Sequence, residues 1–245
     1  MEIYENNFLI LMYNKKDSNI KEIIKTINDR IIEIANFFGI TQIKDKIKIK
    51  IYYSQEEFQK YLIPFLYDGK YYDWMIASTH DGNINILSLD NCRQTNSHKD
   101  MNKKEYIDII IHEFVHKFHQ LVKGDNKTEN AWFHEALATN LSNEYYDVIP
   151  ISCTLDELKQ DYNSVDNRYD ISYTIGKYLL ENYPHNLILS MCKDEKILEE
   201  QAKKIFEEAK LYSQEYLADK SSSSNRKIWN KGRYVRWLNT KNINI

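Results

Sequence analysis

The stretch IIIHEFVHKFHQLV, residues 109–122, places His112, Glu113, His116 and His119 inside an otherwise apolar run. Burying that many polar groups costs free energy unless something satisfies them. On a helix, His112 and His116 project from one face about one turn apart. Two imidazoles so placed can reach a single tetrahedral zinc ion. Glu113 lies about 100° further round the helix, where it can reach an attacking water rather than the metal. This is the HExxH arrangement, in which two histidines hold the metal and the glutamate is the general base.

A hydrolytic zinc site takes three protein ligands and keeps one position open. The metzincin continuation HExxHxxGxxH is absent, because the chain reads HEFVHKFHQLVKG and puts Phe118 and His119 out of register. Nineteen residues after His116 comes Glu135, within AWFHEALATNLS. A second helix folding back through the turn KGDNKT would bring Glu135 to the metal. Ala136 and Ala138 are small enough to let the two helices approach. His119 shares the face of His112 and His116 and is expected to hydrogen-bond near the site, orienting its ligands. His134 sits about 100° from Glu135 on its helix and reads as a non-ligand. His80 in a predicted turn, His98 in a polar loop and His185 after Pro184 read as solvated.

The elements that must position these groups follow from periodicity. Phe8–Tyr13 reads as a buried strand. Ile20, Ile23, Ile24, Ile27, Ile31, Ile34 and Phe38 recur at helical spacing, and Gly39 is a natural stop. KIKIKIYY, residues 46–53, alternates as a half-buried strand. Ser54 with Glu57 forms a capping box for a helix through about Leu62. Trp74–Thr79 and Asn83–Leu89 flank HDGN, a hairpin turn, and residues 91–100 read as a loop. Helices are then predicted over 103–122, 129–146, 154–162 (capped by Thr154 and Glu157), 169–182, 185–192 and 195–218, with SSSS at 221–224 as a linker. The order is strands and helices first, then helices only. It predicts an α+β fold with a sheet part first and a mainly helical part after it. The expected boundaries are 1–122 for the mixed part ending in the HExxH helix, 123–219 for the helical part carrying Glu135, and 220–245 for a basic tail.

Composition narrows the partners. A net charge of −3 over 245 residues predicts no general attraction to nucleic acid or acidic membranes. The last 25 residues interleave Trp229, Tyr234 and Trp237 with Lys and Arg, but they lack a sustained amphipathic period, so a flexible or docked end is expected. Cys92, Cys153 and Cys192 are far apart with no CxxC, and they read as buried or incidental thiols. The apolar run at Phe8–Tyr13 is too short for a secretory signal and follows acidic residues. No run approaches the ~20 residues of a membrane span. The expected location is the cytoplasm. No GxSxG, P-loop or GxGxxG is present, so serine-hydrolase and nucleotide-binding readings have no support.

HExxH followed about twenty residues later by Trp132-x-x-Glu135-Ala136-x-Ala138 resembles the gluzincin zinc metallopeptidases, and within them the small peptidase MA type. The resemblance covers the two motif helices best and extends more loosely over residues 44–183. It implies a small mixed sheet packed on the HExxH helix and, before that helix, a strand, a helix and an edge hairpin, which KIKIKIYYSQEEFQKYL and WMIASTHDGNINILSL fit. A later helix beginning Tyr-x-x-Gly is matched by SYTIGKYLLENYP, with Tyr173 and Gly176 in register. Carried over, the resemblance implies His112, His116 and Glu135 as zinc ligands, Glu113 as general base and Tyr173 as a donor to the oxyanion. It also suggests that Asn83–Ser88 is the exposed strand to which an extended peptide adds. The missing G-x-M-E-N motif favours an endopeptidase over an aminopeptidase. The alternative is a catalytically inactive or toxin-like binding module that keeps the fold.

Overall fold

The computed structural model describes residues 1–66, 69–80, 83–124, 130–144 and 146–222. The centres of the HDGN and KGDNKT turns, and the basic tail beyond Ser222, lie outside the described residues. The described chain is mixed α+β, with one five-stranded sheet and a mostly helical remainder. It forms two compact units. One comprises Met1–Leu121 with Leu141–Glu144, and the other Val122–Asn140 with the chain from Tyr145 onward.

The first unit is built on strands β1 (Glu2–Glu5), β2 (Leu9–Tyr13), β3 (Ile47–Tyr52), β4 (Ala77–His80) and β5 (Asn83–Leu87), in the order β1-β2-β3-β5-β4. β2, β3 and β5 run parallel, and β1 and β4 are antiparallel edges. Asn83–Ser88 is therefore not the exposed strand. β5 lies between β3 and β4, and its buried Ile84, Ile86 and Leu87 suit an interior position; β4 is the edge. β1 was not expected, because EIYE is short and largely exposed and carries no buried alternation.

Register sorts the side chains. Leu11, Ile49 and Ile84 align across the sheet, as do Ile51, Ile86 and Ala77. On this face β4 also presents Thr79, which hydrogen-bonds Glu113 of α4 (Lys103–Lys123). The opposite face carries Asn85, whose amide donates to the Tyr61 hydroxyl of α2 (Gln55–Leu62) at 2.8 Å. Helix α1 (Ile20–Phe37) buries Ile20, Ile23, Ile27, Ile31 and Ile34. Each such side chain contributes on the order of 1.5–3 kcal/mol. At the end of α1, Phe38 meets Phe118 and His119 of α4, tying the two helices together. α4 begins at a reciprocal cap, with Asn102 Oδ1 accepting from Glu105 N at 3.0 Å and Glu105 Oε2 from Asn102 N at 2.9 Å. Between the sheet and α4, the segment read as pure loop opens with a short helix, α3 (Leu89–Cys92).

The second unit holds α5 (Ala131–Leu141, whose last residue belongs to the first unit), α6 (Leu155–Gln160), α7 (Arg168–Asn182), α8 (His185–Lys193) and α9 (Glu195–Ser222). Thr154 and Glu157 cap α6 as expected. α7 crosses α5 at Gly176, where a Cβ would stand 2.1 Å from the Ala136 carbonyl oxygen. Asn140 Nδ2 bridges the same crossing, donating to Ala136 O at 2.9 Å and Tyr173 O at 3.0 Å. α5 ends at Leu141 rather than 146 because Asn143 takes a left-handed conformation, φ 63°. The carbonyls freed there are satisfied by first-unit cations: Arg30 donates to Leu141 O at 2.6 Å and Lys104 to Asn143 O at 2.9 Å.

Candidate metal centre

On α4, Ile110, Ile111, Phe114, Val115 and Phe118 are fully buried, while His112, Glu113, His116, Lys117 and Gln120 form a partly exposed stripe. The helical period thus separates a packing face from a chemical one. Within the stripe the Nε2 atoms of His112 and His116 stand 2.9 Å apart, and the rings are 4.7 Å apart at 76°. Two nitrogens bound to one tetrahedral ion at about 2.0–2.1 Å lie roughly 3.3 Å from each other. A spread of a few tenths of an ångström brings these rings to that geometry. The far nitrogen of His112, Nδ1, lies 3.2 Å from Glu144 Oε2, and both side chains are nearly enclosed, at 12% and 14% exposure.

Glu113 Oε2 accepts a hydrogen bond from Thr79 Oγ1. Thr79 pairs with Ile84 in the β4–β5 ladder, so the sheet edge and the glutamate are joined directly. One turn along α4, burial holds the Lys117 ammonium below its ordinary pKa, partly opposed by the charge of Glu113. Lys117 also donates to Gln120 Oε1 at 3.2 Å.

In the second unit, Glu135 sits on α5 among the fully buried Trp132, Phe133, Ala136, Leu137 and Ala138. Thr139 Oγ1 donates to its carbonyl at 2.7 Å. Trp132 Nε1 donates to Asn130 Oδ1 at 3.2 Å, and Asn130 Nδ2 to Glu195 at 2.7 Å, which anchors the start of α5 to α9. Burial first, and then the charge of Glu135, hold the Tyr162 hydroxyl well above the usual phenol range. Each of His112, His116 and Glu135 offers one ligand atom of a kind that could hold a metal ion. Two imidazoles and a carboxylate are a donor set that zinc accepts.

The remaining sequence candidates are spread out. Tyr173 lies on α7 with its ring 6.0 Å from that of Tyr146. Burial raises its hydroxyl's pKa, and its charged neighbours are Lys177, Glu181 and Asp147, with Tyr216 nearby. His119 is buried and stacks on Phe38 at 6.0 Å. His134 is also buried. His98 is not merely solvated, since its Nε2 lies 3.1 Å from the Trp74 carbonyl oxygen. Cys92 and Cys192 are buried free thiols, and burial pushes Cys92 up to about 12. Among the described residues no helix is long and apolar enough to cross a membrane.

Two residues at the centre escaped sequence reasoning. Thr79 was assigned to a strand, but nothing in its surroundings signals a partner 34 residues away. Glu144 fell inside a stretch read as helix through 146. The available signal was Asn143, a residue type that tolerates the left-handed conformation and so can end a helix.

No protein-family model, curated protein or solved structure matches the chain.

Proposed function

We propose that this chain is a zinc-dependent metallopeptidase with a gluzincin-like fold, cleaving peptide bonds with Glu113 as general base. The observation that carries the reading is the stripe on α4, where His112 and His116 turn their Nε2 atoms to one point and Glu113 stands beside them. In this reading His112, His116 and Glu135 hold the zinc. Bound there, zinc would acidify water and polarise a carbonyl. The protein's own part is to place groups around the reacting carbonyl. Glu113 takes the proton of the attacking water on its carboxylate and passes it to the leaving amine. Thr79 steadies that carboxylate from the sheet edge. Tyr173 is proposed to donate its hydroxyl to the developing oxyanion, where one aimed donor is worth a few kcal/mol. Among the described residues β4 pairs only with β5 in the sheet, so its outer edge is the place for an extended substrate to add as a further strand.

The test joins metal analysis with cleavage of a diverse peptide library. The protein is expected to bind one zinc per chain and to cleave peptides in a chelator-sensitive way. His112→Ala, His116→Ala and Glu135→Ala should each lose tight zinc binding, because two ligands plus water make a poor site. Glu113→Gln should retain zinc and fold but lose about 10²–10⁴ in rate. Cleavage by Glu113→Gln at the wild-type rate would overturn the general-base assignment. Full zinc retention by Glu135→Ala would remove the gluzincin reading. A wild-type protein that holds zinc and cleaves nothing would be a binding module.

A further inference from the structure

We infer that Glu144, which lies outside both motif helices, is a positioning residue that fixes the ring of His112 with Nε2 as its metal-binding nitrogen. The inference rests on the metal reading above and adds a residue to it. Neutral imidazole carries one N–H and one lone pair, and the hydrogen bond made by one nitrogen decides what the other can do. Glu144 Oε2 lies 3.2 Å from His112 Nδ1, while His112 Nε2 faces His116 Nε2 at 2.9 Å. A carboxylate only accepts, so Nδ1 is the donor and Nε2 keeps its lone pair for the metal. Glu144 meets the far side of the ring, which sets it apart from a ligand. Its negative charge also makes the imidazole more basic and so a stronger donor to a cation.

The placement of Glu144 is built rather than incidental. α5 stops at Leu141, and Asn143 turns the chain through a left-handed conformation, φ 63°. Arg30 from α1 grips the Leu141 carbonyl at 2.6 Å, and Lys104 from α4 grips that of Asn143 at 2.9 Å. With its amide oriented oxygen-inward, Asn143 also accepts from Arg30 Nη1 at 2.6 Å. Lys104 stands two turns before His112 on α4, so the element that carries the histidine also holds the turn that carries its partner. The four residues Leu141–Glu144 accordingly belong to the first unit, with α1, α4 and the sheet.

The experiment measures Zn²⁺ affinity of the full chain by competition with a chromophoric chelator, for wild type, Glu144→Gln, Glu144→Ala and His112→Ala. Melting temperatures of the metal-free proteins are recorded alongside. Glu144→Ala is expected to bind zinc about 10–100-fold more weakly, the usual cost of losing such a partner, with its metal-free melting temperature unchanged. Glu144→Gln preserves shape and an acceptor oxygen and should lose less. Cobalt-loaded protein should show a shifted visible absorption band in Glu144→Gln, because a changed partner alters His112 as a donor. A role confined to folding would lower the melting temperature of both variants and leave the affinity and the cobalt band of the folded fraction unchanged, and that result overturns the inference. If His112→Ala loses zinc while both Glu144 variants bind as wild type does, only the role of Glu144 falls. If His112→Ala binds as wild type does, the metal reading falls and takes this role with it.

Discussion

His112, Glu113 and His116 each answer to two constraints at once, the period of the helix and the chemistry of the stripe. The buried Ile110, Ile111 and Phe114 hold the helix in place, and their polar neighbours lie on its partly exposed stripe. Tyr173 has no such clear assignment from its surroundings, since its ring neighbours Tyr146 and its hydroxyl is raised chiefly by burial. The proposed oxyanion role makes a sharp demand on it. A hydroxyl that acts in the transition state and little in the ground state changes kcat and spares KM. Tyr173→Phe should lower kcat by roughly 10–10³, with zinc content unchanged. Steady-state kinetics on any peptide found to be cleaved would check this, and an unchanged kcat would leave Tyr173 as a packing residue.

At the scale of elements, α5 and α7 of the second unit cross at a close approach. A Cβ on Gly176 would meet backbone, the Ala136 carbonyl, and backbone cannot swing aside as a flexible side chain can. Gly176→Ala should therefore destabilise the protein by about 1–3 kcal/mol, the usual range for overpacking. That loss outweighs the ~1 kcal/mol that alanine gains over glycine in helix propensity. Urea denaturation followed by circular dichroism would report it. A variant as stable as wild type would mean that the helices can part at no cost. Since Glu135 lies one residue before Ala136 on α5, the variant should also weaken zinc binding if the proposed ligand set holds.

For the molecule as a whole, pH acts on buried carboxyls. Asp17 is 2% exposed, and burial, the largest cause, raises its pKa above the ordinary value of 3.8. Its ionisation therefore costs the folded chain more than the unfolded one. That cost is absent below the unfolded pKa and grows as pH rises through the raised folded value. Asp17→Asn keeps an acceptor for the Asn19 amide, which now donates to Asp17 Oδ1 at 2.9 Å. The variant should melt higher than wild type at pH 7 and at the same temperature near pH 3. Equal melting curves at pH 7 would show that the carboxylate is better compensated than its burial suggests.

Much of this was legible from local pattern. The isoleucine period of α1, the alternation of β3, the caps of α2 and α6 and the HExxH stripe all depend on residues within a turn or two of each other, where backbone geometry alone dictates which side chains share a face. The α+β order of elements followed from the same periods. What local pattern does not contain is which strand lies beside which, and which side chains meet across long stretches of chain. The family resemblance suggested Asn83–Ser88 as the exposed edge; only the parallel pairing of β5 with β3 put it inside the sheet and made β4 the edge. Thr79 reached Glu113, and Glu144 reached His112, through sheet register and through a turn gripped by Arg30 and Lys104. Those meetings are decided by packing between distant segments. Tertiary structure alone could therefore show what holds Glu113 and His112 in place.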